Sequence, residues 1–130
     1  MYCLICNSKN VVVALALLIA TEGLLAHHSY SAVFDVNKKI TITGTLTKVD
    51  WRNPHIMLFL DVKRADGHVD AWTFEASPPS YFVRRNISKG KFQDALGSAV
   101  GVESYRAKDN RLFGSLLKLT FADGTVVTSD

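Results

Sequence analysis

The chain has 130 residues, 48% of them hydrophobic, and a formal net charge of +3 at pH 7. This length suits a single domain, and a mild positive charge spread along the chain does not indicate a protein that binds polyanions. Both cysteines, Cys3 and Cys6, lie in the first six residues, so the rest of the chain has no disulfide and depends on core packing.

Residues 1–26 have the pattern of a secretory signal peptide. Lys9 precedes the run Val11–Ala20, which contains no polar residue, and the small residue Ala26 ends the segment. Ten helical residues span only about 15 Å, half of a bilayer core, so we expect no stable membrane anchor. We predict cleavage after Ala26, with Gly23 as the competing site. The protein would then be periplasmic or secreted, and nucleic acid would not be its normal partner.

The first strand is predicted at residues 39–49, where apolar and polar side chains alternate and β-branched residues dominate. Residues 35–38 predict a turn before this strand, and Gly44 within it indicates a bend or a bulge. The same reasoning predicts five further strands, at residues 56–64, 69–75, 99–105, 116–121 and 126–128.

The segments between the strands contain turn and helix patterns. Two Ala-Asp-Gly sequences, at 65–67 and 122–124, predict hairpin turns with positive φ at both central residues. Ser77 is the expected N-cap of a short helix at 81–85. A single helical turn is expected at 88–92, within a region that has no clean periodicity.

Three strands, a helix, and two or three strands follow one another in the order of an OB-fold. The predicted fold is therefore all-β, with one short helix and a small OB-like Greek-key barrel of five to six strands. Residues 27–38 would form an N-terminal arm, and residues 39–130 the barrel. The predicted core contains Ile42, Leu46, Leu58, Leu60, Val62, Trp72, Phe74, Phe82, Val100, Val102, Leu117, Leu119 and Phe121.

The densest group of chemically useful side chains lies at the corner of residues 51–55, Trp-Arg-Asn-Pro-His. Pro54 has no N–H for a sheet ladder, so the chain bends here. Trp51, Arg52 and Asn53 could bind a small molecule, a glycan or a protein together with the nearby strand face. Alternatively, Trp51 covers one end of the barrel and Arg52 points into water.

Three histidines suggest a metal site. If the signal peptide is cut after Ala26, His27 carries a free α-amine, and its amine and ring can both give up protons near neutral pH. A further imidazole from His55 or His28 would complete an all-nitrogen set, which favours copper as Cu(II). Adjacent side chains on an extended segment point to opposite sides, so His27 and His28 would rarely share one metal. The alternative is that both are an exposed terminus and that His55 donates to a backbone carbonyl.

Enzyme chemistry is not predicted. The chain contains no Gly-rich phosphate loop and no His-Glu-x-x-His sequence, and no strand-turn-helix elbow presents a serine nucleophile. We therefore assign no catalytic residue and expect a binding protein.

Several short motifs occur together from about residue 26 onward. They are Ala-His-His-Ser-Tyr at 26–30, Phe-Asp at 34–35, Thr-Gly-Thr at 43–45, Trp-Arg-Asn-Pro-His at 51–55 and Gly-Val-Glu-Ser-Tyr-Arg-Ala-Lys-Asp at 101–109. In these motifs the chain resembles DUF6152, a family of small exported bacterial proteins of unknown role. The resemblance implies a small exported domain, and it brings no assigned activity, cofactor or catalytic residue.

Overall fold

The computed structural model describes residues 29–129, so the predicted signal peptide, His27 and His28 lie outside the described residues. In chain order the elements are α1 (Ser29–Val33), β1 (Phe34–Asp50), β2 (Ile56–Lys63), β3 (Val69–Ala76), α2 (Pro79–Val83), α3 (Lys89–Asp94), β4 (Ala99–Ala107), β5 (Phe113–Thr120) and β6 (Val126–Thr128). Within residues 29–129, no helix is long and apolar enough to cross a membrane.

The six strands form one sheet in the order β3-β2-β1-β4-β5-β6, and β3 also pairs with β5 in parallel. Because β3 pairs with β5, the five strands β1, β2, β3, β5 and β4 form a closed ring. Residues 113–115 of β5 pair with β3, and residues 118–120 pair with β6, so both neighbours share one edge of β5. Two short helices connect β3 to β4. The prediction of a small all-β, OB-like barrel is confirmed, but the described residues contain three short helices where one was predicted.

Strand β1 has 17 residues and pairs with two neighbours in succession. Its first part, up to Thr45, pairs with β4, and the part from Thr45 onward pairs with β2. At this changeover a Cβ atom on Gly44 would lie 2.8 Å from the Asp61 carbonyl oxygen, so only glycine fits there. The bulge lies at Thr47 rather than at Gly44, because the β1–β2 register shifts between Leu46 and Lys48.

The turn predicted at residues 35–38 is wrong, because this segment is an irregular part of β1. Asp35 pairs with Arg106 and Lys39 pairs with Tyr105, which leaves residues 36–38 without partners on β4. The Asp35 carboxylate accepts a hydrogen bond from the Asn37 backbone N–H at 3.0 Å, so local side-chain bonding bends the strand without ending it. The strand begins at Phe34, five residues before the predicted start.

Both Asp-Gly turns form where predicted but in another conformation. Positive φ occurs at Gly67 (87°) and Gly124 (84°), and neither preceding aspartate has it. Each glycine N–H donates to a carbonyl three residues earlier, and the flanking pairs Arg64–His68 and Phe121–Thr125 close the loops. These bonds define type I turns followed by a left-handed glycine, a common three-residue hairpin loop.

The helical connection also differs in detail from the prediction. The N-cap of α2 is Pro78, and no side chain bonds to it. Ser77 is not the cap, because its Oγ accepts a hydrogen bond from the Ser129 hydroxyl at 3.2 Å, and its backbone N–H donates to the same Ser129 Oγ at 2.7 Å. The helical turn predicted at residues 88–92 is a six-residue helix, α3, whose N-cap Ser88 accepts a hydrogen bond from the Lys91 N–H.

Ten of the thirteen predicted core residues are buried, and Ile42 and Val62 are partly buried against the core. Leu117 is only half-buried. Because Glu103 pairs with Lys118 and Ser104 with Leu116, Leu117 is an extra residue in the β4–β5 register. Leu116 and Leu119 therefore both point into the barrel, although they are three residues apart. Core residues that the prediction missed are Phe34, Ile56, Ala76, Phe92, Ala107, Leu116 and Val127.

Candidate functional site

Trp51 lies where β1 ends, and it packs against the two helices. Its ring centroid is 5.2 Å from that of Phe92 and 6.0 Å from that of Phe82, and both phenylalanines are fully buried. The indole therefore joins an aromatic cluster under α2 and α3, with only part of its surface exposed. Such tilted ring contacts stabilise packing beyond simple area burial.

Arg52 and Asn53 are exposed on the same corner. The Arg52 guanidinium lies 2.5 Å from the Asp50 carboxylate, and its side chain is 74% exposed. Ion pairs at such exposed positions contribute little stability. The Asn53–Pro54 peptide bond is cis.

His55 follows directly and has a defined orientation. Its Nδ1 lies 3.2 Å from the Ala76 carbonyl oxygen and 3.5 Å from Glu75 Oε1. A carbonyl oxygen can only accept, so Nδ1 carries the proton and donates. In the neutral ring the lone pair is then on Nε2. With the side chain 46% exposed, the corner presents an oriented imidazole with a free ligand atom.

The surface next to His55 is the outer face of β2. Ile56 and Leu58 are fully buried, so Met57 between them faces outward, where it is half-buried. Met57 pairs with Glu75 on β3 and with Asp50 on β1. A row of carboxylate, thioether and carboxylate therefore crosses three strands beside the imidazole.

The described residues contain no ready-made metal cluster. Across residues 29–129, no group of three or more histidine, cysteine, aspartate or glutamate side chains could hold a metal ion. His68, the remaining histidine, lies in the hairpin at the other end of β2, 80% exposed and with Nδ1 3.3 Å from Asp66 Oδ1. The metal site predicted from His27, His28 and His55 stays a prediction.

A cleft of about 330 Å³ lies between α3 and the β5–β6 turn. At its rim Lys91 Nζ is 2.5 Å from Asp123 Oδ2 and 4.9 Å from the centre of the Phe121 ring. The hydrogen bond from Lys91, with those from the Thr125 hydroxyl and N–H, holds the pKa of Asp123 well below its usual range. Sequence reasoning identified the turn but not the cleft, because Lys91 lies 32 residues away along the chain.

Positive charges gather at another part of the barrel, contrary to the sequence-based view that they are spread out. The β1–β4 pairing brings the irregular segment of β1 beside the β4–β5 loop, and Lys38 Nζ lies 3.3 Å from Asn110 Oδ1. The cations gathered there are Lys38, Lys39, Arg106, Lys108 and Arg111, against the carboxylates of Asp35 and Asp109.

Two buried polar atoms on β4 have no hydrogen-bond partner among the described residues, Ser104 Oγ and Arg106 Nε. The Arg106 guanidinium lies 5.4 Å from the Trp72 ring centroid, and its Nη2 donates to the Asn110 carbonyl at 2.9 Å. Ser104 is completely buried. An unpaired buried hydroxyl is costly, so Ser104 is a weak point of the core.

No curated protein and no solved structure matches this chain. The model of one family, described as a family of unknown function (DUF6152), matches residues 15–116, which is 102 of the 130 residues. The matched range includes the corner at residues 51–55 and the strands that surround it. The chain therefore belongs to DUF6152, a family of unknown function.

Proposed function

We propose that this protein is an exported binding protein, periplasmic or secreted, that holds a copper ion at its proline-containing corner. The ligands are the α-amine and ring of His27, as the first residue after signal cleavage, and the Nε2 atom of His55. His28 is the alternative source of the second imidazole. All-nitrogen ligation of this kind suits Cu(II) better than the other common divalent metals.

The observation that carries the proposal is the orientation of His55. Its Nδ1–H points at the Ala76 carbonyl oxygen, with the Glu75 carboxylate 3.5 Å from the same nitrogen. Metal-binding histidines commonly donate their second ring N–H to a carbonyl or a carboxylate, which fixes the ring and makes the free nitrogen more basic. His55 has both acceptors beside one nitrogen, and a half-exposed ring.

The alternative is a metal-free module that binds a small molecule, a glycan or a protein at Trp51, Arg52 and Asn53. It has less support, because Trp51 packs against Phe82 and Phe92 and Arg52 already faces the Asp50 carboxylate. A stacking platform needs an open ring face. Asn53 is exposed, but its amide provides no ring on which a ligand could stack.

The test begins with mass spectrometry of the exported, processed protein. A chain that begins at His27 has the required amine, whereas a chain that begins at Leu24 lacks it and contradicts the proposed ligand set. Calorimetric titration of Cu(II) then compares the wild type with His55→Ala and His68→Ala. We expect His55→Ala to weaken binding by about tenfold or more.

His68→Ala is the matched control, because it also removes an exposed imidazole with a nearby carboxylate. It should bind Cu(II) like the wild type. Equal affinity of wild type and His55→Ala would exclude His55 as a ligand and overturn the proposal.

A further inference from the structure

Resting on the proposed copper site, we infer that Met57 supplies a thioether ligand beside His55 when copper is monovalent, so that the site binds Cu(I) as well as Cu(II). The choice of Cu(I) follows from the softness of the ligand atoms. Thioether sulfur is a soft ligand that selects Cu(I), whereas oxygen ligands suit harder ions.

The strand register places the two side chains on the same surface. Ile56 and Leu58 point into the barrel, and alternation on β2 turns Met57 outward, two residues after His55, which directly precedes the strand. Met57 pairs with Glu75, and the Glu75 carboxylate lies 3.5 Å from His55 Nδ1. Glu75 thus contacts His55 and neighbours Met57 across the same pair of strands.

The surroundings of Met57 are not those of a packing methionine. Methionine usually fills irregular gaps in apolar cores, but the partners of Met57 across the sheet are Asp50 and Glu75. The next outward residue of β2 is Phe59, which is covered by Lys48 with its Nζ 5.0 Å from the ring centroid.

The carboxylates of Asp50 and Glu75, which flank Met57 across the sheet, already have partners. Asp50 faces the Arg52 guanidinium at 2.5 Å, and Glu75 faces the His55 Nδ1–H. Their hard oxygens are therefore not the natural ligands here. The atoms left for a metal are the imidazole Nε2 and the Met57 sulfur, a pair that favours Cu(I) or Ag(I) over Zn(II).

The test uses the processed exported protein without oxygen. The chain has two methionines, Met1 and Met57, so after signal cleavage a ¹³C label on the methionine methyl group reports on Met57 alone. We expect one equivalent of Ag(I), a redox-inert analogue of Cu(I), to shift this resonance, and Zn(II) to leave it in place. Competition with a coloured Cu(I) chelator then measures affinity.

Met57→Leu keeps the side-chain volume and removes the sulfur. It should weaken Cu(I) binding by about tenfold or more and leave Cu(II) binding unchanged. Phe59→Leu, on the same face, is the matched control and should change neither affinity. If Met57→Leu binds Cu(I) like the wild type while His55→Ala has lost Cu(II), the role of Met57 is overturned and the copper site stands. If His55→Ala keeps its Cu(II) affinity, the proposed function itself fails.

Discussion

Gly114 lies at the seam that closes the barrel, and replacing it with alanine tests that closure. Gly114 pairs with Phe74 on β3 and with Arg106 on β4. A Cβ atom at this position would lie 2.7 Å from Ser104 Oγ, 2.9 Å from the Tyr105 carbonyl oxygen and 3.1 Å from Phe74 Cδ1. Real Cβ atoms do not tolerate the first two distances, so β4 and β5 would have to separate.

The size of the effect follows from these contacts. Forcing an extra methyl group into a packed core costs about 1–3 kcal/mol, and the upper half applies because one close atom is backbone. Alanine in place of glycine stabilises by about 0.4–1 kcal/mol through the unfolded chain. The net loss in free energy of unfolding is therefore about 2 kcal/mol, or roughly 8–16 °C in Tm for a domain of this size.

Gly101→Ala is the matched control. Gly101 is also in a strand of the barrel, but its Cβ atom would meet only Thr120 Cβ, at 3.7 Å. The substitution should therefore be neutral or stabilise by up to about 1 kcal/mol.

Urea unfolding followed by tryptophan fluorescence measures both variants. Trp72 is a suitable reporter, because its ring stacks on Phe74 with centroids 5.6 Å apart and planes 6° apart. If Gly114→Ala and Gly101→Ala have the same free energy of unfolding, the seam does not restrict the strands as argued. Adding Ser104→Ala to Gly114→Ala should recover part of the loss, since it removes the nearest atom.

Two further predictions concern single side chains. Ser104→Ala alone should raise the free energy of unfolding by about 1 kcal/mol, because it removes a buried hydroxyl without a partner; a clear loss of stability in urea would contradict this. Asp123→Asn should lower Tm at pH 7, because the lowered pKa of Asp123, caused first by Lys91, makes its charged form stabilising. The difference in Tm between the wild type and Asp123→Asn should persist at pH values above about 4, the pKa of the aspartate in the unfolded chain, and shrink as the pH falls below it. A Tm difference that stays constant from pH 7 to pH 2 would rule out the ion pair with Lys91 as its cause.

The strands and the barrel could be predicted because alternation and turn residues are local properties. Residues 39–49 alternate apolar and polar side chains, and the structure has a strand there. Leu117 could not be assigned correctly, since its orientation depends on an extra residue in the pairing with β4. Ser77 failed as an N-cap because Ser129, 52 residues away, bonds to it. Both of these errors involve a partner that is distant in sequence.

The candidate site, too, could be predicted from the sequence only where its residues are close together along the chain. Proline and histidine identify the corner, but Glu75 lies 20 residues beyond His55 and reaches it only through the β2–β3 pairing. Met57 was not identified as a candidate, because residues 56–60 are all apolar and the sequence does not show which of them face outward. Burial separates them, with Ile56 and Leu58 inside and Met57 outside.

The orientation of His55 is therefore a consequence of core packing. Ile56 pairs with Ala76 and Met57 with Glu75, and a slip of one residue would turn Ile56 into water and Met57 into the core. Full burial of Ile56 fixes the register, and that register also brings the Ala76 carbonyl and the Glu75 carboxylate to His55 Nδ1. The packing that stabilises the barrel thus also holds the imidazole through Nδ1 and leaves Nε2 as the nitrogen that can bind a metal.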